Sequence, residues 1–446
     1  MLKELLSDKK YYTILILFLI WSTIWNFNAN EMSGILPYYL DFTSFFINKL
    51  EFSRPFTMNI YSWPMWGYGL VLLLGSKWFI ITSQQMVTFI VLIQLRQRFR
   101  RILDFNAFSF LSISLLAAFP WFVFHSSLWP YSISANLMSI GLVYLGAGLD
   151  KNNLSNVLKS GFLFGVVLNF RSDYYYLFWI FFVAIFSFSL YQRNWLKIKL
   201  ICYWKFLILI LILPWYFYTQ KYTGQGSFVS SNSGHVFFIS LGQSPNNPWG
   251  ITTSDSDSLM YSLVKLKFGE NESSLSSRSN KFLMEEFKMR VISDKMAFFD
   301  KCVSNLKMLM VNPFYFGNLR NGINLDDENF NQLKTAVRGG DVSKAFSLGI
   351  ESVNANLIVL GIIYIVGLGI FYMFIWAVIR FLWRFYFIRK TTFLEIVILI
   401  TIVYQFSINV FSYSLSVYTT NVYLMCLVFI SLVLSKGFDA NNKMHI

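Results

Sequence analysis

NEMSGILPYYLDFTSFFINKLEFSRPFTMNIYSWPMWGYGLVLLLGSKW, residues 30–78, falls between two strongly apolar runs. A segment in that position sits at a membrane surface, between one helix that arrives and another that departs. Its acids Glu31 and Asp41 and its Arg54 are set among Tyr38, Tyr39, Tyr61, Trp63, Trp66 and Tyr68. Aromatic rings favour the headgroup level, and charges at that depth are costly unless they have a partner or a task. Within the stretch, residues 66–75, WGYGLVLLLG, decide how the chain is threaded. Counted as a crossing, they put the basic run at 96–101 outside the cell. Counted as a helix lying in the outer interface, apolar face down, they leave the short basic loops between spans on one side.

The surrounding chain favours the second reading. Its 446 residues are 55% hydrophobic and 20% aromatic but only 13% charged, a composition that excludes a soluble domain and predicts an all-α polytopic membrane protein. Runs of about 20 apolar residues are needed to cross a bilayer. About ten are expected, near 11–29, 79–97, 105–126, 132–149, 157–171, 174–192, 200–218, 355–378, 393–413 and 418–435. Arg96, Arg98, Arg100, Arg101, Lys151, Lys159, Arg193, Lys197, Lys199, Arg380, Arg384, Arg389 and Lys390 then share one side, which the positive-inside rule makes the cytoplasm, with both termini. The net charge of +14 therefore reports topology and an affinity for anionic lipid headgroups rather than nucleic acid. Cys202, Cys302 and Cys426 are too scattered to suggest a disulfide framework or a ligand set. The charged start MLKELLSDKKYY runs into apolar sequence without a small-residue cleavage site, which predicts a retained first helix.

Three regions follow: an N-terminal membrane module over 1–218, an external region over 219–354, and C-terminal membrane helices over 355–446. The external region opens with a Gly-, Ser- and Asn-rich piece. From Lys281 to Met310 its apolar residues then recur every three or four positions, predicting one or two amphipathic helices that end at Asn312-Pro313. Such helices pack on the loop or lie on the membrane. The fifth span is short and holds Gly161 and Gly165, so it is expected to be an interrupted helix lining a cavity. Arg171 and Asp173 would stand at the outer end of that cavity, or else form a surface ion pair. His125 and His235 fall on the external side without a companion Cys, so no closed zinc site is expected. No phosphate-binding GxxxxGK[ST] loop and no G-x-S-x-G elbow is present. What remains outside is a small polar set: Glu31, Asp41, Arg54, His125, Arg171, Asp173 and His235. A carboxylate able to take a proton and cations able to hold a departing phosphate would suffice for sugar transfer from a lipid phosphate.

The order of segments resembles the GT-C superfamily of integral-membrane glycosyltransferases, in particular the branch of lipid A aminoarabinose transferases and protein O-mannosyltransferases. PYYLDFTSFFINKLEFSRP with YSWPMWGYGLVLLLG is similar to the family's first external loop. LLAAFPWFVFHSSLWPYSISANLMSIGLVYLGAGL resembles its third and fourth spans, and SGFLFGVVLNFRSDYYYLFW its Gly-x-x-x-Gly span ending in Arg-Pro-Asp. ILPWYFYTQKYTG, NSGHVFFISLGQSPNNPWG and KMLMVNPFYFGN resemble the segments that follow. The chain departs from the pattern at Ile35, where the family places its catalytic acid, and at Ser172, where it places proline. The resemblance implies a polyprenyl-phosphate sugar donor, a lipid-linked or surface glycan as acceptor, inversion at the sugar, and a bacterial inner-membrane location. It gives Asp41 or Glu31 as general base, Arg54 and Arg171 as phosphate contacts, and Tyr39, His125, Asp173 and His235 as further substrate contacts. No cofactor is implied, with a divalent metal as the one addition the chemistry admits. The alternatives are a polysaccharide polymerase or ligase and a non-enzymatic polysaccharide or lipid translocator.

Overall fold

The computed structural model describes residues 8–27, 77–118, 130–223, 226–229, 232–314, 355–388, 391–413 and 419–435, with isolated positions between 332 and 347. The interfacial segment 66–75, together with Glu31, Tyr39, Asp41, Arg54 and His125, lies outside the described residues. Within them the chain is helical, with no strand. In order the helices are α1 (Asp8–Phe27), α2 (Lys77–Phe99), α3 (Phe105–Ala117), α4 (Pro130–Asp150), α5 (Leu154–Phe170), α6 (Tyr175–Tyr191) and α7 (Trp195–Thr223). They continue as α8 (Ser233–Ser240), α9 (Ser258–Phe268), α10 (Ser277–Ser293), α11 (Lys295–Val311), α12 (Ala355–Trp383), α13 (Phe393–Phe411) and α14 (Tyr423–Leu434).

Four described segments are long and apolar enough to cross a membrane: Ile133–Asp150, Ser172–Tyr191, Gly361–Phe387 and Phe393–Phe411. The larger number expected from sequence is not reached on that measure. Helices α3, α5 and α14 are apolar but shorter, and α7 carries Lys197, Lys199 and Lys205 in its first three turns.

The centre of the bundle is the sandwich of α4, α5 and α7, and its glycines correct one expectation. Helix α5 runs unbroken through Gly161 and Gly165. These residues allow close approach instead of interruption: a Cβ on Gly165 would fall 2.4 Å from Leu211 Cδ1, and one on Gly161 would fall 3.1 Å from the Trp204 carbonyl oxygen. Small residues four apart let two helix backbones meet where lipid offers no hydrophobic drive. The same seam is filled by aromatic rings, with Phe164 stacked on Phe178 at 4.7 Å and Trp204 edge-on to Phe164 at 5.5 Å. The buried indole N–H of Trp204 donates to Ser160 Oγ at 3.1 Å.

The two ends of the bundle differ. At one end, Arg96 and Arg100 of α2 and the loop after it both bond Asp8 of α1 at 2.7 Å. There too Arg98 donates to the Tyr144 hydroxyl, Asp150 accepts the backbone N–H groups of Phe393 and Leu394, and Arg384 pairs with Glu395. We call this the basic end. The far end carries a small helical module with its own apolar centre, built from Phe238, Ile239, Leu241, Ile251, Met260, Val264 and Leu283. The periodic stretch 281–310 forms two helices within it. They are separated at Asp294, whose carboxylate accepts from the Ala297 N–H at 2.9 Å and so caps α11.

Candidate functional site

Where α5 ends, Arg171 adopts an extended backbone and a single 3-10 turn, Ser172–Tyr174, leads into α6. This tight corner sets the two charges side by side. Arg171 Nε donates to Asp173 Oδ1 at 2.9 Å, and a second guanidinium N–H donates to Oδ2. Such a two-pronged bond fixes both groups in one plane. The Arg171 side chain is 8% exposed and that of Asp173 35%, so the pair presents its carboxylate edge outward. The Tyr404 hydroxyl of α13 donates to the Asp173 carbonyl at 2.7 Å and pins the corner to α13.

The corner forms one wall of a cavity of about 530 Å³ at the far end of the bundle. Tyr404, Ser407, Ile408, Phe411 and Ser412 at the end of α13 form a second wall. Val229, Asn232, Ser233, Val236 and Phe237, with Met284 of α10, roof it from the far-end module. Its lining is mostly apolar, with one ion pair and a few hydroxyls. That combination suits a ligand with an apolar body and a polar head, held by shape along the walls and oriented by a few polar groups.

His235 is not part of this cavity. On α8, residues 233, 236 and 237 line it, and at 100° per residue position 235 points to the opposite side of the helix. There the ring lies 3.2 Å from Ser274 Oγ at Nδ1 and 3.2 Å from Asp255 Oδ1 at Nε2. The hydrogen bond from His235 holds the Asp255 carboxyl below its ordinary value. A serine, a histidine and an aspartate in sequence of contact suggest a nucleophilic triad, but the exposures are reversed. Ser274 is 2% exposed and the Asp255 side chain 91%, whereas a triad needs a reachable hydroxyl and a sheltered carboxylate. The contacts tie the 255 and 274 loops to α8. Among the described residues no group of three His, Cys, Asp or Glu side chains could hold a metal ion.

Sequence reasoning missed the residues that join roof to bundle. Lys301 of α11 is fully buried and donates to the carbonyls of Phe411 at 2.9 Å and Ser412 at 2.6 Å. Asn305 donates to the Val410 carbonyl at 3.1 Å. The end of α13 has carbonyls without intrahelical partners and the negative pole of the helix dipole, so a cation there satisfies both. A lysine inside an apolar periodic stretch was the available signal.

Loss of hydration outweighs the attraction of these carbonyls, and burial lowers the Lys301 ammonium from 10.5 to about 8. Between those values the unfolded chain binds more protons than the folded one, so the docking of α11 strengthens as pH rises through the window, by at most about 3 kcal/mol. Below pH 8 the contribution is at its lower, constant level. Hydrogen exchange of α11 amides, corrected for intrinsic rates, should slow across this window, and Lys301→Met should remove the dependence.

Compared with known proteins, the chain matches no family model, no curated protein and no solved structure.

Proposed function

We propose that this chain is a membrane glycosyltransferase of GT-C type that moves a sugar from a polyprenyl-phosphate carrier to a lipid-linked or cell-surface glycan. The observation that carries the reading is the cavity where α5 and α13 end and α6 begins, in which a paired Arg171 and Asp173 stand in a mostly apolar chamber under a helical roof. An isoprenoid chain fits the apolar walls. The exposed carboxylate edge of Asp173 accepts from sugar hydroxyls, while Arg171 brings positive charge towards the phosphate. In this reading the protein sits in a bacterial inner membrane with about ten spans and cytoplasmic termini, and the basic groups at the opposite end support a cavity that faces outward. In this reading Asp41, or else Glu31, is the general base, and Arg54 assists at the phosphate.

The test uses the full-length protein in vesicles with a radiolabelled polyprenyl-phosphate sugar. Asp41→Asn should lower transfer by roughly 100- to 10,000-fold, the usual contribution of a general base, while insertion and abundance are unchanged. Full activity in Asp41→Asn with loss in Glu31→Gln would move the role to Glu31. Unimpaired transfer in both variants would sink the assignment of a first-loop base.

A further inference from the structure

We infer that α11 lies in the membrane leaflet at the far end of the bundle, with one face sunk among lipid acyl chains. The helix has a buried face, where Lys301, Asn305 and Leu309 recur every four residues against the rest of the protein. It also has a second apolar face, which stands exposed among the described residues. Met296 is 68% exposed and Phe299 59%, and Leu306 and Met310 are exposed as well. With half-buried Val303, these side chains fall within an arc of about 80° along the whole helix. Exposed Lys295 and Lys307 stand just beyond either edge of the arc. That is the arrangement of a helix lying at an interface, with apolar residues downward and lysines reaching sideways to the headgroups. A soluble surface seldom carries so continuous an apolar stripe without an occupant.

Depth identifies the occupant as lipid. The last two residues of α11 accept hydrogen bonds from α12: the Tyr372 hydroxyl donates to the Met310 carbonyl at 3.3 Å, and the Tyr364 hydroxyl to that of Val311. Both tyrosines belong to Gly361–Phe387, one of the segments apolar and long enough to cross a membrane. The end of α11 therefore sits level with membrane-crossing sequence. On α12 itself Ile362, Ile365 and Met373 are also exposed. Since Lys301 ties α11 to Phe411 and Ser412 on the cavity wall, the leaflet itself holds the roof in place. The inference rests on the membrane-crossing helices and is independent of the transferase reading.

The experiment places one nitroxide label at Phe299→Cys or Leu306→Cys, with Cys202 and Cys302 changed to serine and buried Cys426 left in place. The full-length protein is set in nanodiscs of phosphatidylethanolamine and phosphatidylglycerol. Both sites are exposed, so the label needs no repacking, and Ser262→Cys, at an exposed position of α9, is the aqueous control. Oxygen dissolved in lipid should relax the labels at 299 and 306 several-fold more than a water-soluble nickel chelate, with the order reversed at 262. Nickel-dominated relaxation at 299 and 306 would overturn the proposal by putting the face in water. Labels shielded from both reagents would also overturn it, by showing that a second copy or another protein covers the stripe.

Discussion

Arg171→Ala should remove transfer almost completely, by at least about 100-fold, which is the scale seen when one preorganised electrostatic contact is lost from a water-poor site. The argument begins with where the charge sits. Arg171 is nearly buried, its ring-like fork is engaged by Asp173, and Tyr174 lies beneath it, 5.5 Å from guanidinium carbon to ring centre. Removing the guanidinium leaves Asp173 in an apolar chamber without its cation. Breaking a fully buried pair costs about 3–5 kcal/mol. Because Asp173 is about a third exposed, water screens part of this and about 1–3 kcal/mol of stability is the expected loss. Arg171→Lys keeps the charge but not the planar fork, so it should fold and retain a fraction of the activity. Asp173→Asn separates the two roles of the pair. It frees the guanidinium from a competing anion and removes a strong acceptor for hydroxyls. Isothermal titration with polyprenyl phosphate and with its sugar-bearing form should therefore show tighter binding of the bare phosphate and weaker discrimination in favour of the sugar. Unchanged affinity for both ligands in Arg171→Ala would exclude this cavity as the donor site.

How much of this was legible in the sequence depends on how local each feature is. The apolar runs place most helices to within a few residues, because a bilayer demands a length and a composition that few other settings do. The three- and four-residue recurrence over 281–310 identifies helix, and only the break at Asp294 escapes it, since an N-cap inside a periodic stretch resembles any other polar residue. Arg171 and Asp173 are two residues apart, so their partnership could be read directly. The groups that complete the cavity could not: Tyr404 lies 231 residues from Asp173 in the chain, and the roof arrives from two separate helices. Gly161 and Gly165 show the same limit in another form. Sequence shows two small residues in an apolar helix, and either a break or a close contact satisfies that pattern. The partner surface of Leu211 and Trp204 decides between them, and it belongs to a different helix. His235 stands out as one of only three histidines, yet its neighbours at 255 and 274 show it to be a tie between loops.

The other large effect should come from the opposite end of the bundle. Glu395→Ala is expected to lower stability by about 3–5 kcal/mol, as for removal of one partner of a buried ion pair. Glu395 is 1% exposed and does two things. One carboxylate oxygen accepts from Arg384, in the π-helical turn that ends α12, and the other accepts from the Thr392 N–H at 3.0 Å. Thr392 Oγ1 in turn accepts from the Glu395 N–H at 3.2 Å, which completes a reciprocal cap on α13. With Asp150 of α4 holding the next two N–H groups, the first turn of α13 is fixed in rotation and height against both α4 and α12. Glu395→Gln should be milder for the cap, because an amide oxygen still accepts, but it leaves Arg384 charged at 15% exposure without its anion. Arg384→Met in the Glu395→Gln background should then recover part of the loss, the expected sign for a buried pair exchanged for neutral groups. The consequence reaches the cavity, because Tyr404, Ser407 and Phe411 ride on the same helix roughly 14–24 Å along its axis. A helix that loses its cap and its anchor is free to turn, and a turn moves the Tyr404 hydroxyl away from the Asp173 carbonyl. Glu395→Ala should therefore weaken ligand binding in the cavity as well as thermal stability in detergent, whereas a cavity whose affinity survives that substitution would show that α13 is positioned from its far end alone, by Lys301 and Asn305.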